Sequence, residues 1–281
     1  MNVKTILWQA ITPIHTGVGQ TSAGVIDLPI ARETATNYPI IPASSIKGVI
    51  RDGREGLEAY GFVNKEIDEL DEKGKKKKIS KAADLSFTDA RVLCLPVRSY
   101  KGTYALLTCP LVLQRFVRDL RLFEQQPNFL SIPNPKETEA LVCGETLSFE
   151  QKIILEDIDL DSSQSAEAES IGLHFAQQLF TDQTEQKIFR ERFAIVHNDI
   201  FAFFSETAME VSAHIALEPE TKTVNKKKGA LWYEEAIPAE AIFSSFATST
   251  TGNFSELEQQ NQVQIGGKAS VGRGLLRMVV R

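Results

Sequence analysis

Cysteine, histidine and long apolar runs are what this chain has least of. Its three cysteines, Cys94, Cys109 and Cys143, stand apart among apolar neighbours with no C-x-x-C spacing. That excludes a zinc ribbon or a disulfide framework and predicts buried thiols in a reducing compartment. The four histidines are scattered and no H-E-x-x-H pair occurs, which excludes a helix-borne zinc protease site. Neither G-x-x-x-x-G-K-[ST], G-x-G-x-x-G nor G-x-S-x-G is present. The sequence therefore offers no P-loop, dinucleotide cradle or nucleophile elbow. The opening "NVKTILWQAITPIHTG" is short and strand-like, with neither the length of a membrane span nor a signal-cleavage pattern. The expected compartment is the cytoplasm, with no membrane partner.

What is present is a globular composition: 281 residues, 42% hydrophobic and 24% charged, enough for a sizeable core. The net charge of −6 hides a segregation. Residues 156–169, "EDIDLDSSQSAEAE", are acidic and polar, whereas Lys and Arg gather in 47–54, 73–81, 91–121 and 222–228. Local patches rather than the sum decide whether a surface meets phosphate; the plainer reading of each run is a solvated face.

Periodicity places a strand over 3–10 and a helix over 45–59, the latter with Ser44 or Ser45 as cap and Ile46, Val49, Ile50 and Leu57 as its apolar stripe. Residues 64–84 read as a mobile charged connector. Strands follow at 90–97 and 103–109, then a helix with Pro110 in its first turn. Residues 146–155 read as strand, 166–181 and 183–192 as helix, and a short helix starts near Asn198 or Asp199. The strand 208–217 alternates Met209, Val211, Ala213, Ile215 and Leu217 on one face, and "ALWYEEAIP" reads as its hairpin partner. The chain closes with strands around "NQVQIGG" and "RGLLRMVV". The pattern predicts an α+β fold with a mostly antiparallel sheet, in a single domain over 1–281.

Four places carry charge in a suggestive arrangement. Lys47, Arg51 and Arg54 follow i, i+4, i+7 along one helix face, and Ser44, Ser45 and the helix-start amides add donors for phosphate. Arg98 and Lys101 interleave with Tyr100 and Tyr104, which suits a single RNA strand whose bases stack while its phosphates pair. In "IGGKASVGRG" the glycines, Gly267 among them, let backbone approach a ligand while Lys268 and Arg273 neutralise it. In "PIHTGVGQTSAGVIDLPIARE", His15 and Asp27 flank small residues. Asp27 is either an ordinary turn acid or a group that moves a proton or holds a hard cation, and residue chemistry alone leaves both open.

"PIHTGVG…GVIDLPIARE", "IPASSIKGVIR", "FTDARVLCLPVRSYKGTYALLTCPLVLQRFVRDL", "GALWYEEAIP" and "QIGGKASVGRG", in this order, resemble the backbone subunit of the type III-B (Cmr) CRISPR effector complex, a member of the RAMP superfamily. The resemblance spans nearly the whole chain and is weakest near 64–84 and 156–170. It implies a ferredoxin-like, RRM-related palm with an extended β-hairpin thumb, which we place at 208–237. It also implies copies of the chain stacked as a helical filament along a CRISPR guide RNA. A large polymerase-like subunit, small subunits and capping RAMP subunits would be the further partners. Each copy would cut the paired target RNA, with a divalent cation such as Mg²⁺ or Mn²⁺. Carried over, the cleavage acid and candidate metal ligand is Asp27, assisted by His15 and by Glu234 or Glu235, while Lys47 and Arg51 contact the guide backbone. The alternative is a guide-RNA scaffold of the same complex that does not cut.

Overall fold

The computed structural model describes residues 2–19, 25–52, 58–70, 76–216, 221 and 231–281, with backbone alone for 58, 62–68, 70 and 77–79. Numbered in chain order, the strands of the large sheet run from one edge to the other as follows. First come β15 (Gln262–Gln264), β16 (Leu275–Val280), β1 (Asn2–Ala10), β14 (Ile242–Ser249) and β6 (Ala90–Arg98). Then come β7 (Tyr104–Thr108), β11 (Phe193–Val196), β8 (Glu139–Val142), β10 (Ile158–Gln164) and β9 (Lys152–Leu155). β2 (Ile40–Ile41) pairs with β6, and β5 (Leu85–Phe87) with β14. Only β10–β8 and β11–β7 are parallel in this sheet.

Four of these strands carry the organising pattern. Their spatial order is β16-β1-β14-β6 with every neighbour antiparallel. α1 (Ala43–Arg51) lies between β1 and β6 in the chain, and α6 (Ser255–Glu258) between β14 and β16. That is the βαββαβ order of a ferredoxin-like palm, so the α+β expectation holds. The long connection from β6 to β14 extends the sheet by five strands and adds α2 (Pro110–Leu122), α3 (Ala166–Leu179), α4 (Gln183–Arg192) and α5 (Asn198–Thr207).

Local chemistry explains the elements. Pro110 sits at the start of α2, where a missing N–H costs nothing, and Val112, Leu113, Phe116, Val117 and Leu120 bury one stripe. Asp182 Oδ1 accepts the Thr184 and Glu185 amides, both at 2.9 Å, and so caps α4. Trp8 is fully buried, its indole N–H donating to Ser245 Oγ at 2.8 Å. As expected, Cys94 and Cys109 are buried free thiols, and Cys143 is half-buried. Burial pushes the Cys109 thiol up to about 11 and that of Cys143 to about 12. No helix among the described residues is long and apolar enough to cross a membrane.

Three expectations are corrected. The helix predicted over 45–59 is α1, ending at Arg51. Neither Ser44 nor Ser45 caps it: Pro42 occupies the N-cap position, and Asp89 Oδ1 accepts the Ala43 amide at 2.7 Å. The "connector" at 64–84 is largely an antiparallel hairpin, β3 (Phe62–Leu70) and β4 (Lys76–Lys81). The hairpin at 208–237 is present as β12 (Glu210–Ile215) and β13 (Leu231–Ala236). Its apolar face looks outward, however, with Val211 53% and Ile215 52% exposed, while Glu210, Ser212 and His214 turn inward. Its turn, 217–220 and 222–230, lies outside the described residues.

Candidate active site

Three of the sequence motifs converge around β13. Residues 16–18 fold back on 29–31: the Ala31 amide donates to Thr16 O at 2.7 Å and that of Val18 to Pro29 O at 3.4 Å. This stem lies along β13, with the Asp27 and Leu28 amides both donating to Tyr233 O at 3.1 Å and the Glu235 amide donating to Leu28 O at 3.0 Å. Ile14 and Ile237 exchange two further hydrogen bonds of 2.8 Å. The stretch expected to be a flexible loop is thus pinned at its stem; residues 20–24 lie outside the described residues.

Asp27 is half-buried, and its Oδ2 accepts the Tyr233 amide at 2.8 Å. Oδ1 has no protein partner among the described residues. His15 is 8% exposed, and its Nδ1 lies 2.7 Å from Glu235 O. A carbonyl only accepts, so the proton is on Nδ1 and a neutral ring keeps its lone pair on Nε2. A Cβ on Gly17 would lie 2.7 Å from that Nε2, so Gly17 serves the packing of the His15 ring.

The Gly-rich segment closes the other side. The Gly267 amide donates to His15 O at 3.0 Å and that of Gly274 to Pro13 O at 2.8 Å. Gly266 has φ +91°, and a Cβ there would sit 2.4 Å from His15 O, so only glycine fits. The loop leaves Gly267 and Lys268 exposed. Arg273 turns back instead: its guanidinium lies 3.3 Å from Glu210 Oε2, and it donates to Ser212 Oγ at 3.2 Å.

Sandwiched between stem and loop, β13 buries both candidate acids on opposite faces. Glu234 is 1% exposed and faces Lys268 Nζ at 3.3 Å, His214 Nε2 at 3.9 Å and Arg273 Nε at 4.0 Å, yet neither of its oxygens makes a hydrogen bond among the described residues. Glu235, 4% exposed, accepts the Ile30 amide at 3.1 Å and is paired with Arg32. Sequence reasoning passed over Arg32, Glu33, Asp89 and His214, although the adjacent opposite charges in "IARE" were visible.

The remaining candidates are more loosely placed. Lys47 and Arg51, four residues apart, share one side of α1 flanking the buried Ile46 and Ile50, with Arg51 exposed. Ser44 is exposed and Ser45 half-buried beside a helix start whose first amide Asp89 already holds. Arg54 lies outside the described residues. Arg98 and Lys101 make no contact with the Asp27 stem among the described residues; Lys101 donates to Ser148 O at 2.6 Å, and the Arg98 carbonyl accepts the Glu156 amide.

For a hard divalent cation, Asp27 offers one free carboxylate oxygen. That fits an ion held by one carboxylate plus phosphate and water oxygens. The one trio of possible metal ligands among the described residues, Glu137, His197 and Asp199, does not include Asp27.

A family model described as the RAMP superfamily matches residues 9–277. The chain belongs to the RAMP superfamily. Within it, this RAMP protein is 34% identical over 283 residues to the CRISPR system Cmr endoribonuclease Cmr4 of Pyrococcus furiosus, covering 96% of this chain and 93% of that protein. It is 24% identical to the CRISPR system CMR subunit Cmr4 of Saccharolobus solfataricus, covering 98% and 96%. Among solved structures, oligomeric Cmr4 from Pyrococcus furiosus superposes with a TM-score of 0.72 at 28% identity, covering 100% of this chain and 98% of that one. A chain of the type III-B Cmr-beta complex bound to cognate target RNA shares the fold, with a TM-score of 0.72 at 20% identity, covering 100% and 97%.

Proposed function

We propose that this RAMP protein is the guide-RNA-binding backbone subunit of a type III-B CRISPR effector and cleaves target RNA paired to the guide, one cut per copy. The observation that carries the reading is the convergence on β13: the Asp27 stem, His15 and the Gly-rich loop are bonded into one assembly. The 34% identity to an endoribonuclease of a Cmr system over almost the whole chain supports the same reading. Copies stack along the guide, and the large, small and capping subunits complete the complex.

The chemistry follows from what RNA carries. Its 2′-OH attacks the adjacent phosphorus in line, the bond to the 5′ oxygen breaks, and the products are a 2′,3′-cyclic phosphate and a 5′-OH end. The attack needs a proton acceptor and a held geometry. Asp27 is oriented by the Tyr233 amide, so its free oxygen is fixed relative to β13. His15, with its proton on Nδ1, keeps Nε2 as the acceptor side of a neutral ring. Lys268, on the exposed loop with its Nζ 3.3 Å from Glu234 Oε2, supplies positive charge for phosphate at the edge of this assembly. We further propose that Mg²⁺ or Mn²⁺ binds Asp27 together with RNA oxygens; when bound, it supplies charge stabilisation at the phosphoryl oxygens.

The test is the assembled complex carrying Asp27→Ala. Target RNA should stay uncut while guide and target affinities are unchanged. If the wild-type complex leaves bound target intact in Mg²⁺ or Mn²⁺, the chain is a scaffold and the enzymatic reading fails. A plain 3′-OH product end would refute the transesterification step.

A further inference from the structure

The residues that follow Asp27 in the stem, Arg32 and Glu33, leave the chain in opposite directions to two different elements. Arg32 pairs with Glu235 on β13, and its Nη1 donates to Ser205 O on α5 and to Asn37 O, both at 2.9 Å. Glu33 is paired with Arg115 of α2, accepting from its Nη1 at 2.8 Å, and accepts from Thr36 Oγ1 at 2.5 Å; Arg91 of β6 lies 3.6 Å away. Glu235 uses its second oxygen to take the Ile30 amide. The side chains of Arg32, Glu235, Arg115 and Glu33 are at most 20% exposed, so water screens these contacts little.

We infer that Arg32 and Glu33 are positioning residues for cleavage: a two-sided clamp that fixes the Asp27 stem between the hairpin strand β13 and helix α2. Glu235 is then the partner of the clamp and moves no proton. Two observations separate this from ordinary stabilisation. Both clamps act within six residues of Asp27, and the Arg32 arm grips the strand whose Tyr233 amide orients the Asp27 carboxylate. Loss of either arm therefore loosens the stem that carries the carboxylate, leaving only its backbone bonds to β13, without touching α1. The low-lying carboxyl of Glu33, held at about 2 chiefly by Arg115, agrees with a permanent ion pair.

This inference rests on the reading of Asp27 as the cleavage acid, and the experiment separates the two. In the assembled complex, single-turnover cleavage at saturating target is measured for Arg32→Ala, Glu33→Ala, Arg115→Ala, Glu33→Ala with Arg115→Ala, Glu235→Gln and Asp27→Ala. Each clamp variant should cut roughly tenfold to a hundredfold more slowly, the scale of a small misplacement, with target affinity within about twofold. The Glu33/Arg115 double variant should lose no more than either single one, because the pair acts as a unit. The pH profile of residual cleavage should stay in place for Arg32→Ala and Glu235→Gln. Wild-type rates in the clamp variants beside an inactive Asp27→Ala overturn the clamp alone. Rate losses matched by lost target binding also overturn it, and a displaced profile in Glu235→Gln returns Glu235 to proton transfer. An active Asp27→Ala instead overturns the reading of the site.

Discussion

The Tyr233 amide donates to Asp27 Oδ2 at 2.8 Å, so the hairpin strand sets the direction in which the stem's carboxylate points. Geometry can therefore be separated from charge and proton affinity at one position. Asp27→Asn keeps an oxygen for the Tyr233 amide but cannot accept a proton at neutral pH. It should fold and bind RNA like the wild type and lose cleavage by roughly a hundredfold or more, the scale of a lost general base. Quantifying cut target at saturating complex checks this; residual cutting within a few-fold of wild type would leave Asp27 with a turn role only.

Gly17 tests His15 without altering it. Its φ is not in the left-handed region, so alanine is conformationally allowed, yet the added Cβ would meet His15 Nε2 at 2.7 Å. Gly17→Ala should displace the ring from its bond to Glu235 O and slow cleavage about tenfold, on the order of one lost hydrogen bond. Combined with His15→Ala, the extra methyl should have no further effect, since the clash is gone. Cleavage rates of the three variants decide it: additive losses would show that Gly17 matters for another reason.

Much of the scaffold was legible because single elements carried their own periodicity. Pro110 and the buried stripe from Val112 to Leu120 announced α2, and the alternation of β12 announced the hairpin. The misreadings have physical causes. In β10, Ile158, Asp159, Leu160 and Asp161 alternate as a strand should, with Leu160 buried and both acids exposed, but the charge drew the reading toward a solvated run. On β12, Val211 and Ile215 share a face that is exposed, because Arg273 and Glu234 draw the polar positions inward. For the site, only the family resemblance placed Asp27, His15 and the acids of β13 together, whereas the Arg32–Glu235 pair spans 203 residues of sequence and leaves no local signal.

Guide contacts should appear as salt dependence. Lys47 and Arg51 share the polar side of α1, and neither forms an ion pair among the described residues. Replacing either with Ala should lower the slope of log affinity against log salt by about 0.7, the single-strand value per phosphate. Arg273, engaged with Glu210 and Ser212, should behave differently: Arg273→Ala lowers the melting temperature more than it changes the slope. Filter binding of guide RNA across a salt series, with melting curves of the same variants, distinguishes the two classes. An unchanged slope in Lys47→Ala and Arg51→Ala would remove α1 from the guide path.

His174 supplies a pH dependence unrelated to cleavage. It is 7% exposed, packed edge-on against Phe129 and Phe175, and burial lowers its pKa to about 4. An unfolded chain binds that proton near pH 6.5. Between pH 6.5 and 4 the unfolded state therefore holds more protons, and stability falls as pH falls through that window. It is fully present above the unfolded value, and about 3 kcal/mol is lost by its lower end. Glu33 adds to acid sensitivity in a lower window, since its depressed pKa gives stability that disappears between about 4.5 and about 2. The two are separated by a variant: His174→Gln stays neutral at every pH and keeps an acceptor for the Asn128 amide that His174 Nδ1 now takes at 3.4 Å. Denaturant melts of wild type and variant from pH 7 to 4 should diverge progressively, the wild type losing more. A constant difference across that range would show that the imidazole ionises inside the fold as readily as outside it.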